Sequence, residues 1–403
     1  MKKHNVAILG FGIVGGGVAR LITDNKKELS EYLGVSVVIK KILDLKDFPD
    51  SDFRDLIVHD YAEILSDKEI DTVIEVMGGS HPAYEFTVAA LKAGKNVISS
   101  NKEVISRYGD EFLALAKENE VCYRFEAAVG GGVPIIAPLI SSVRQNKISE
   151  IRGIINGTTN YILTQMVSYG KSFEAALAEA QDKGFAEKNP DADILGWDAA
   201  RKIAILTAIV TGRLFSAEEI HTEGIDKIRK NDVKFADAIG CNIKLLARCL
   251  PDGDNTVVAV APYIIPKNSP LGLVSGVSNA IEVVGEPLGC VSFSGPGAGA
   301  GATASAVVSD LAPIIAYGSE NMLTPRFTKC GVSPASAFYA YRAKNYIAVE
   351  QNDIEKIKDA FANATVSDQG EEYAILTEEL TEKEIADALA GAGVTPLSRI
   401  RLI

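Results

Sequence analysis

The first 130 residues alternate short apolar runs with stretches in which apolar positions recur every three or four residues. The apolar runs lie at residues 6–9, 35–39, 72–76, 96–99 and 122–125. Helical periods lie between them, for example at residues 14–23 and at residues 83–93, where Pro82 precedes the helix and Gly94 follows it. This alternation predicts an α/β fold that begins with a Rossmann-like, doubly wound domain on a parallel sheet.

Beyond residue 130 the strict alternation ends. The pattern predicts longer helices at residues 160–169, 172–183 and 197–211, with strands near residues 150–155 and 257–265. This mixture favours an α+β second domain. A glycine-rich run at residues 295–301 then precedes an apolar helix predicted at residues 302–317.

The last part of the chain, residues 335–403, is rich in lysine and glutamate. Its pattern predicts, in order, a strand, a helix, a strand, a helix and a strand at residues 338–341, 353–363, 372–376, 382–392 and 400–403. Two helices over a small sheet indicate a ferredoxin-like C-terminal module.

Composition narrows the class of protein. A chain of 403 residues exceeds what one core usually fills, so two or three domains are expected. The formal charge of 41 − 53 = −12 argues against a protein that binds nucleic acid through its phosphates. The 5 cysteines are scattered, which indicates neither a disulfide framework nor a zinc site. The pattern contains neither a signal sequence nor a long apolar span, so we expect a cytoplasmic protein with no membrane partner.

The motif Gly10-Phe11-Gly12-Ile13-Val14-Gly15 comes directly after the first predicted strand and begins a helix. In this context Gly10 permits a tight turn, Gly12 lets the backbone approach a pyrophosphate, and Gly15 lets the helix pack closely on the strand. The motif predicts a dinucleotide site, NAD or NADP; the alternative is a glycine-rich turn without a ligand.

Asp44, just beyond the second predicted strand, is the candidate acceptor for the adenosine ribose hydroxyls. A carboxylate there favours NAD, because it would repel the 2′-phosphate of NADP. The argument is opposed by three positively charged residues close in sequence, Lys40, Lys41 and Lys46. The preference between NAD and NADP therefore stays open, with a slight lean toward NAD.

The densest group of charged residues lies at residues 182–202. Asp198 and Lys202 are four residues apart near the start of a predicted helix, which puts them on one face. An isolated pair of this kind is usually a solvated surface pair. Here Glu187 and Asp193 precede the same helix start, and the helix continues with apolar residues, so the charged end belongs to a mostly buried helix.

With these motifs in this order, the chain resembles homoserine dehydrogenases over residues 5–320. The matching stretches are residues 10–15, 75–79, 82–83, 100–102, 126–134, 156–163, 187–202 and 295–300. The resemblance implies reversible NAD(P)-dependent interconversion of L-homoserine and L-aspartate 4-semialdehyde, a step in threonine and methionine biosynthesis.

The resemblance also implies residue roles. Lys202 would transfer the reacting proton, and Lys102 would stand beside the hydride path. The substrate-binding residues would be Glu187, Asp193, Asp198, Gly157, Thr158 and Thr159. The cofactor-binding residues, besides the glycine motif and Asp44, would be Gly78, Ser100, Lys102 and Gly297. Phe185 stands where the family commonly has a tyrosine, which removes one hydroxyl from the substrate site.

A sodium ion is a further implied ligand. Its ligands would be oxygens of Glu126, Val129, Gly131 and Val133, in a segment too glycine-rich for a regular helix. The alternative is a tight turn between domains with no ion.

The resemblance completes the domain prediction. Residues 1–132, completed by about residues 300–325, would bind NAD(P); residues 133–299 would bind substrate and form the dimer; and residues 335–403 would form an ACT-like module. The Asp-x-Pro-Gly effector loop of such modules is missing between Tyr341 and Asp353, so threonine feedback should be weak or absent. A homodimer or higher homo-oligomer is expected.

Two alternatives remain at this stage. One is a nicotinamide enzyme for another small aldehyde or alcohol, such as an aspartate-semialdehyde dehydrogenase, whose chemistry needs a thiol nucleophile that no cysteine here convincingly supplies. The other is a cofactor-sensing regulatory protein with an inactive site. The pairing of Lys102 with Lys202 and the carboxylates around Lys202 argue against it.

Overall fold

The computed structural model describes residues 2–331 and 333–403. The strands are β1 (Lys3–Leu9), β2 (Ser36–Leu43), β3 (Ile57–Val58), β4 (Thr72–Glu75), β5 (Asn96–Ser99), β6 (Tyr123–Arg124), β7 (Lys147–Ile154), β8 (Arg213–Leu214), β9 (His221–Thr222), β10 (Cys241–Leu250), β11 (Val257–Pro266), β12 (Ser278–Glu286), β13 (Gly289–Pro296), β14 (Thr328–Lys329), β15 (Arg342–Glu350), β16 (Thr365–Asp368), β17 (Glu372–Leu376), β18 (Leu380–Thr381) and β19 (Ser398–Leu402).

The helices are α1 (Ile13–Asp24), α2 (Lys26–Leu33), α3 (Ala62–Leu65), α4 (Ala83–Lys92), α5 (Lys102–Glu118), α6 (Ile136–Pro138), α7 (Gly157–Tyr169), α8 (Phe173–Asp182), α9 (Asp191–Ile194), α10 (Trp197–Thr211), α11 (Lys230–Ala238), α12 (Ala300–Ser309), α13 (Leu311–Tyr317), α14 (Ala335–Ala340), α15 (Ile354–Ala360) and α16 (Glu382–Ala392). The chain divides into two compact units. Unit 1 consists of Met1–Asn146, Ile205–Ser216 and Gly295–Cys330, and unit 2 consists of Lys147–Ala204, Ala217–Ser294 and Gly331–Ile403.

Unit 1 is built on a parallel sheet with the strand order β3-β2-β1-β4-β5-β6. This is the order of dinucleotide-binding doubly wound folds, in which ligands bind outside the carboxyl ends of the strands. The apolar runs predicted from the sequence all lie on strands of this sheet. The prediction missed β3, which at 2 residues is too short to show a pattern.

The helix predicted at residues 302–317 is divided into α12 and α13 at Asp310. The buried Asp310 carboxylate accepts hydrogen bonds from Arg124 Nε at 3.0 Å and from the N–H of Glu126 at 2.8 Å. The segment Ala300–Tyr317 is long and apolar enough to cross a membrane, by length and composition alone. In unit 1 its residues Val307 and Leu311 pack in the core beside α1.

Unit 2 is built on a sheet with the order β13-β12-β7-β10-β11-β19-β15-β17-β16. Strands β10 and β11 pair antiparallel, and β11 pairs parallel with β19 near the C-terminus, with Tyr263 opposite Arg401. Buried side chains of Leu246, Ala261 and Tyr263 form part of its core. The C-terminal segment therefore continues the sheet of unit 2.

The C-terminal segment has the element order β15-α15-β16-β17-α16-β19 and the sheet order β19-β15-β17-β16. This βαββαβ order is ferredoxin-like. Two sequence predictions are corrected here. Residues 338–341 do not form a strand: they lie at the end of α14, where Phe338 stacks on the His221 ring with centroids 3.8 Å apart, and the strand begins at Arg342. The short strand β16 was missed because its polar, part-exposed residues carry no apolar alternation.

Candidate active site

Two carboxylates and a lysine meet around Asn156, directly before α7 in unit 2. Asn156 caps this helix, because its Oδ1 accepts a hydrogen bond from the N–H of Thr159 at 2.9 Å. Its Nδ2 donates to Oδ1 of Asp193 at 2.7 Å and to Oδ2 of Asp198 at 2.9 Å. One amide side chain thus joins the start of α7 to α9 and α10.

Lys202 completes this cluster. Its Nζ donates to Oδ2 of Asp198 at 2.7 Å and to the main-chain oxygen of Ile155 at 2.8 Å. Lys202 is only 9% exposed and Asp198 only 5%, so the pair is not the solvated surface pair that its spacing alone would suggest. The predicted contact between the two residues is confirmed.

Asp193 is the less compensated carboxylate of the cluster. Its pKa is raised above its ordinary value, first by burial and then by the negative charge of Asp198, against the hydrogen bond from Asn156 and the charge of Lys202. Within residues 2–331 and 333–403, no ion pair is formed by its carboxylate. A ligand cation beside Asp193 would favour its charged form.

The start of α7 offers a place for an anion. A Cβ atom at Gly157 would lie 2.8 Å from the main-chain oxygen of Val277, so only glycine fits there without a shift. The N–H of Thr159 is already used by the Asn156 cap, and the Thr158 hydroxyl donates to the main-chain oxygen of Phe185 at 2.7 Å. The N–H groups of Gly157 and Thr158 are the ones that remain for a carboxylate at this helix start.

The glycine motif in unit 1 has the geometry that it predicts. Gly10 has a φ of +93°, and a Cβ at Gly15 would lie 1.9 Å from the main-chain oxygen of Gly10. Helix α1 follows Gly12, which provides no side-chain cap and has open space beside it. Its first N–H groups therefore suit a phosphate anion.

A cavity of about 690 Å³ lies beside this turn, lined by Phe11, Gly12, Ile13, Arg20 and residues 47–53 among others. Asp44 is tied to the same turn, because its Oδ2 accepts the N–H of Phe11 at 2.7 Å and its Oδ1 accepts that of Lys46 at 3.0 Å. Asp44 is therefore hydrogen-bonded to the glycine turn.

The other predicted cofactor residues of unit 1 lie in three loops or, for Lys102, at the start of the helix that follows one of them. Gly78 follows β4; Ser100 and Lys102 follow β5, where the N–H of Lys102 donates to the Ser100 oxygen at 3.1 Å. Gly297 precedes α12, and its main-chain oxygen would lie 2.4 Å from a Cβ placed on Gly131. The loops after β4 and β5 are at the carboxyl edge of the parallel sheet, where ligands bind in this class of fold.

The predicted cation loop is a buried turn. Its Glu126 carboxylate accepts the N–H groups of Ile135, Ile136 and Ala137 at 2.7, 2.9 and 2.6 Å. Burial, followed by the charge of Asp310, raises the Glu126 pKa. In the described part of the chain, no hydrogen bond ends on the main-chain oxygens of the four predicted ligands, Glu126, Val129, Gly131 and Val133.

These oxygens therefore fit a hard cation better than the Glu126 carboxylate does. The Glu126 carboxylate already accepts hydrogen bonds from three backbone N–H groups of the turn. A sodium ion remains a proposal for this loop, since the described residues contain no cluster of acidic, histidine or cysteine ligands that would indicate another metal.

Comparison with known proteins decides the family. Residues 134–312 match the family model described as homoserine dehydrogenase, and residues 10–126 match its NAD-binding domain. The homoserine dehydrogenase of Bacillus subtilis (strain 168) is 35% identical over 96% of this chain and 94% of its own length. The chain belongs to the homoserine dehydrogenase family.

Solved structures of the family agree with this result. A homoserine dehydrogenase from Thiobacillus denitrificans superposes with a TM-score of 0.89 at 31% identity, over 100% of this chain and 99% of its own. A hyperthermophilic archaeal homoserine dehydrogenase in complex with NADPH superposes with a TM-score of 0.67 at 30% identity, over 77% of this chain and 97% of its own. As a family member, the chain is an NAD(P)-dependent oxidoreductase, and the comparisons support neither alternative raised by the sequence.

At this site the structure differs from the sequence prediction at two residues, Glu187 and Asn156. Glu187 lies exposed in the turn after α8, and no hydrogen bond or ion pair between described residues connects its carboxylate to Asp193, Asp198 or Lys202. Asn156 was not assigned a role, although an asparagine directly before a Gly-Thr-Thr helix start is a capping signal. Phe185 packs edge-on against Tyr161, with ring centroids 5.0 Å apart.

Proposed function

We propose that this chain interconverts L-homoserine and L-aspartate 4-semialdehyde with Lys202 as the proton-transferring group. The observation that carries the proposal is the chain of hydrogen bonds from the half-buried Asp193 through Asn156 and Asp198 to the buried Lys202. Bound NAD(P) would accept the hydride in alcohol oxidation and supply it in aldehyde reduction.

Substrate recognition follows from the charges around this cluster. Homoserine carries an ammonium, a carboxylate and the reacting hydroxyl. Asp193 would bind the ammonium, because its charge is incompletely compensated, and the N–H groups of Gly157 and Thr158 would bind the carboxylate. Thr159 supports that helix start through the Asn156 cap, and Glu187 would contribute negative charge from the exposed turn.

Proton transfer would use Lys202. In alcohol oxidation its amine accepts the hydroxyl proton while the hydride leaves the carbon, and the ammonium formed is stabilised by Asp198 at 2.7 Å. Aldehyde reduction reverses both steps. Lys102, the first residue of α5, would be the second lysine of the reaction.

The cofactor would bind in unit 1 along the turn from Gly10 to Gly15, with Asp44 toward the adenosine ribose. Gly78, Ser100, Lys102 and Gly297 complete the proposed set. A carboxylate beside the adenosine ribose would repel a 2′-phosphate, so Asp44 favours NAD slightly over NADP.

The remaining predictions concern organisation. We infer a NAD(P)-binding domain at residues 1–132 completed by about 300–325, a substrate and dimerisation domain at 133–299, and an ACT-like module at 335–403, which the βαββαβ order supports. A sodium ion on the oxygens of Glu126, Val129, Gly131 and Val133, a homodimeric assembly and a cytoplasmic location belong to the same proposal.

The test follows absorbance at 340 nm with L-homoserine and NAD or NADP. Two substrate analogues serve as controls: 4-hydroxybutyrate, which lacks the ammonium, and 3-amino-1-propanol, which lacks the carboxylate. We expect turnover of homoserine and a large loss of kcat/KM with each analogue. Equal turnover of all three alcohols would contradict the proposed recognition, and no turnover of homoserine with either cofactor would contradict the reaction.

A further inference from the structure

A buried carboxylate in unit 1 has no role in the function described so far. Glu75 is the last residue of β4 and is 0% exposed. In the parallel sheet it lies opposite Leu9 of β1 on one side and Ser99 of β5 on the other. It therefore stands at the carboxyl edge of the sheet, where two loops of the proposed cofactor site begin.

Glu75 holds both of these loops. Its Oε1 accepts the N–H of Met77 at 2.9 Å, in the loop after β4, and its Oε2 accepts the Ser99 hydroxyl at 2.6 Å. The Ser99 oxygen in turn accepts the N–H of Asn101 at 3.0 Å. A continuous line of hydrogen bonds thus runs from Glu75 to Asn101.

Asn101 is the residue that begins α5. Its Oδ1 accepts the N–H groups of Glu103 and Val104 at 3.2 and 3.4 Å, and its Nδ2 donates to the main-chain oxygen of Gly79 at 2.7 Å. Lys102 is the next residue and the first of the helix. The Asn101 side chain therefore helps to fix where α5 and Lys102 begin. Asn101 is in turn linked to Glu75 through Ser99.

We propose that Glu75 is a positioning residue for the reaction, which acts through Ser99 and Asn101 on the start of α5 and on Lys102. The proposal rests on the role of Lys102 proposed above. Among the described residues, no hydrogen bond joins the Glu75 side chain to the glycine turn.

The charge state of Glu75 matters for this line of hydrogen bonds. Burial raises its pKa to about 7, although the hydrogen bonds from Ser99, Met77 and Asn101 oppose the increase. The ionised carboxylate accepts from all three groups. The neutral acid must donate its own proton, which competes with the Ser99 hydroxyl for the same contact.

The groups that face Glu75 are few. Leu9 of β1 is apolar, Ser99 and Asn101 are neutral, and Tyr123 of β6 is the titratable neighbour. The Tyr123 hydroxyl is buried, and burial, followed by the charge of Glu75, raises its pKa well above the ordinary value, against a contact with Ser99. Tyr123 therefore stays neutral between pH 5.5 and 9, and Glu75 is the group that titrates.

The test compares wild type with Glu75→Gln between pH 5.5 and 9, by kcat and KM for homoserine oxidation. Glutamine keeps the shape but, like the neutral acid, presents a donor to Ser99. We expect kcat to fall about tenfold at pH 8 to 9, because small displacements of a reacting group are costly, and KM for homoserine to stay within about twofold. Toward pH 5.5 the ratio of the two kcat values should approach one, since wild-type Glu75 is then neutral.

The ionisation of other groups, which both proteins share, cancels in the ratio of their kcat values. A ratio that is constant over the whole range would overturn the proposal, as would an equal loss in kcat and homoserine affinity. Glu118→Gln, at the exposed end of α5, is the matched control and should follow wild type at every pH.

A second measurement needs no variant. Hydrogen exchange of the peptide that contains the N–H groups of Glu103 and Val104, corrected for the chemical exchange rate, should show stronger protection at pH 8 than at pH 6. Protection that is independent of pH would overturn the proposal even if the Gln variant does not fold. The Lys102→Ala variant distinguishes the proposed role of Lys102 from the effect of Glu75 on the start of α5. If this variant retains full activity, the proposed role of Lys102 is wrong, whereas the hydrogen-exchange result still tests the effect of Glu75.

Discussion

Nδ2 of Asn156 lies 2.9 Å from Oδ2 of Asp198, although 42 residues separate them in sequence. The same nitrogen donates to Asp193, and the oxygen of the same amide caps α7. The start of α7 and the carboxylates on α9 and α10 are thus fixed by one side chain. Removing the Asn156 side chain should therefore disturb both the helix start and the two carboxylates. A replacement that keeps only the cap separates these two effects.

Replacing Asn156 by serine should keep the helix cap but remove the donor to both carboxylates. We expect thermal stability close to wild type and a loss of kcat/KM for homoserine of about tenfold or more, because Asp193 and Asp198 lose the donor that bridges them. Asn156→Ala should show the same kinetic loss and a further loss of stability of about 1 kcal/mol from the missing cap. A serine variant with wild-type kcat/KM would show that the bridge is unimportant.

Replacing Lys202 by alanine should remove proton transfer. We expect kcat for homoserine oxidation to fall by about 10²- to 10⁴-fold, with cofactor binding unchanged in a fluorescence titration. Lys202→Arg is the matched variant: it retains a positive charge beside Asp198, but a guanidinium does not release its proton in this pH range. Substantial activity in the arginine variant would mean that Lys202 acts only through its charge.

Replacing Gly15 by alanine should destroy the cofactor turn. The added Cβ would lie 1.9 Å from the main-chain oxygen of Gly10, so α1 must move away from β1. We expect weaker NAD(P) binding and a lower melting temperature. Gly16→Ala is the control for stability, because its Cβ would meet no atom within 4 Å and alanine favours a helix. Equal melting temperatures of the two variants would contradict the packing argument.

Replacing Asp44 by asparagine should shift cofactor preference. The amide oxygen can still accept the N–H of Phe11, which the carboxylate accepts at 2.7 Å, but the negative charge is removed. We expect the kcat/KM ratio of NADP to NAD to rise about tenfold, which corresponds to about 1.4 kcal/mol. An unchanged ratio would show that Asp44 serves only to hold the turn.

Threonine should inhibit the enzyme weakly or not at all. Strand β15 ends at Glu350, and residues 351–353 lead directly into α15 without the Pro-Gly of an effector loop. A dose series of L-threonine in the homoserine assay checks this, with L-serine as the matched control amino acid. Strong and selective inhibition by threonine would require a binding site elsewhere.

Much of the fold could be read from periodicity. The parallel strands of unit 1 appeared as apolar runs because both faces of each strand are covered, and α10 was predicted with its observed bounds because its apolar period is unbroken. Elements without such a period were missed or misplaced. Strand β3 has 2 residues, and the aromatic residues at 338–341 read as a strand until the contact of Phe338 with His221 is known.

For the candidate site, the sequence determined what depends on neighbouring residues along the chain. It specified the glycine turn, because only glycine tolerates the φ of Gly10 and the close contact at Gly15. It also specified the Asp198–Lys202 pair, because a helix brings residues four apart in sequence close together. Tertiary structure alone decided that Asn156 reaches Asp193 and Asp198, that Glu187 stays in solvent, and that Glu75 governs the start of α5. These contacts join segments tens of residues apart, and whether a side chain is buried with a partner or left in water depends on packing that no local pattern records.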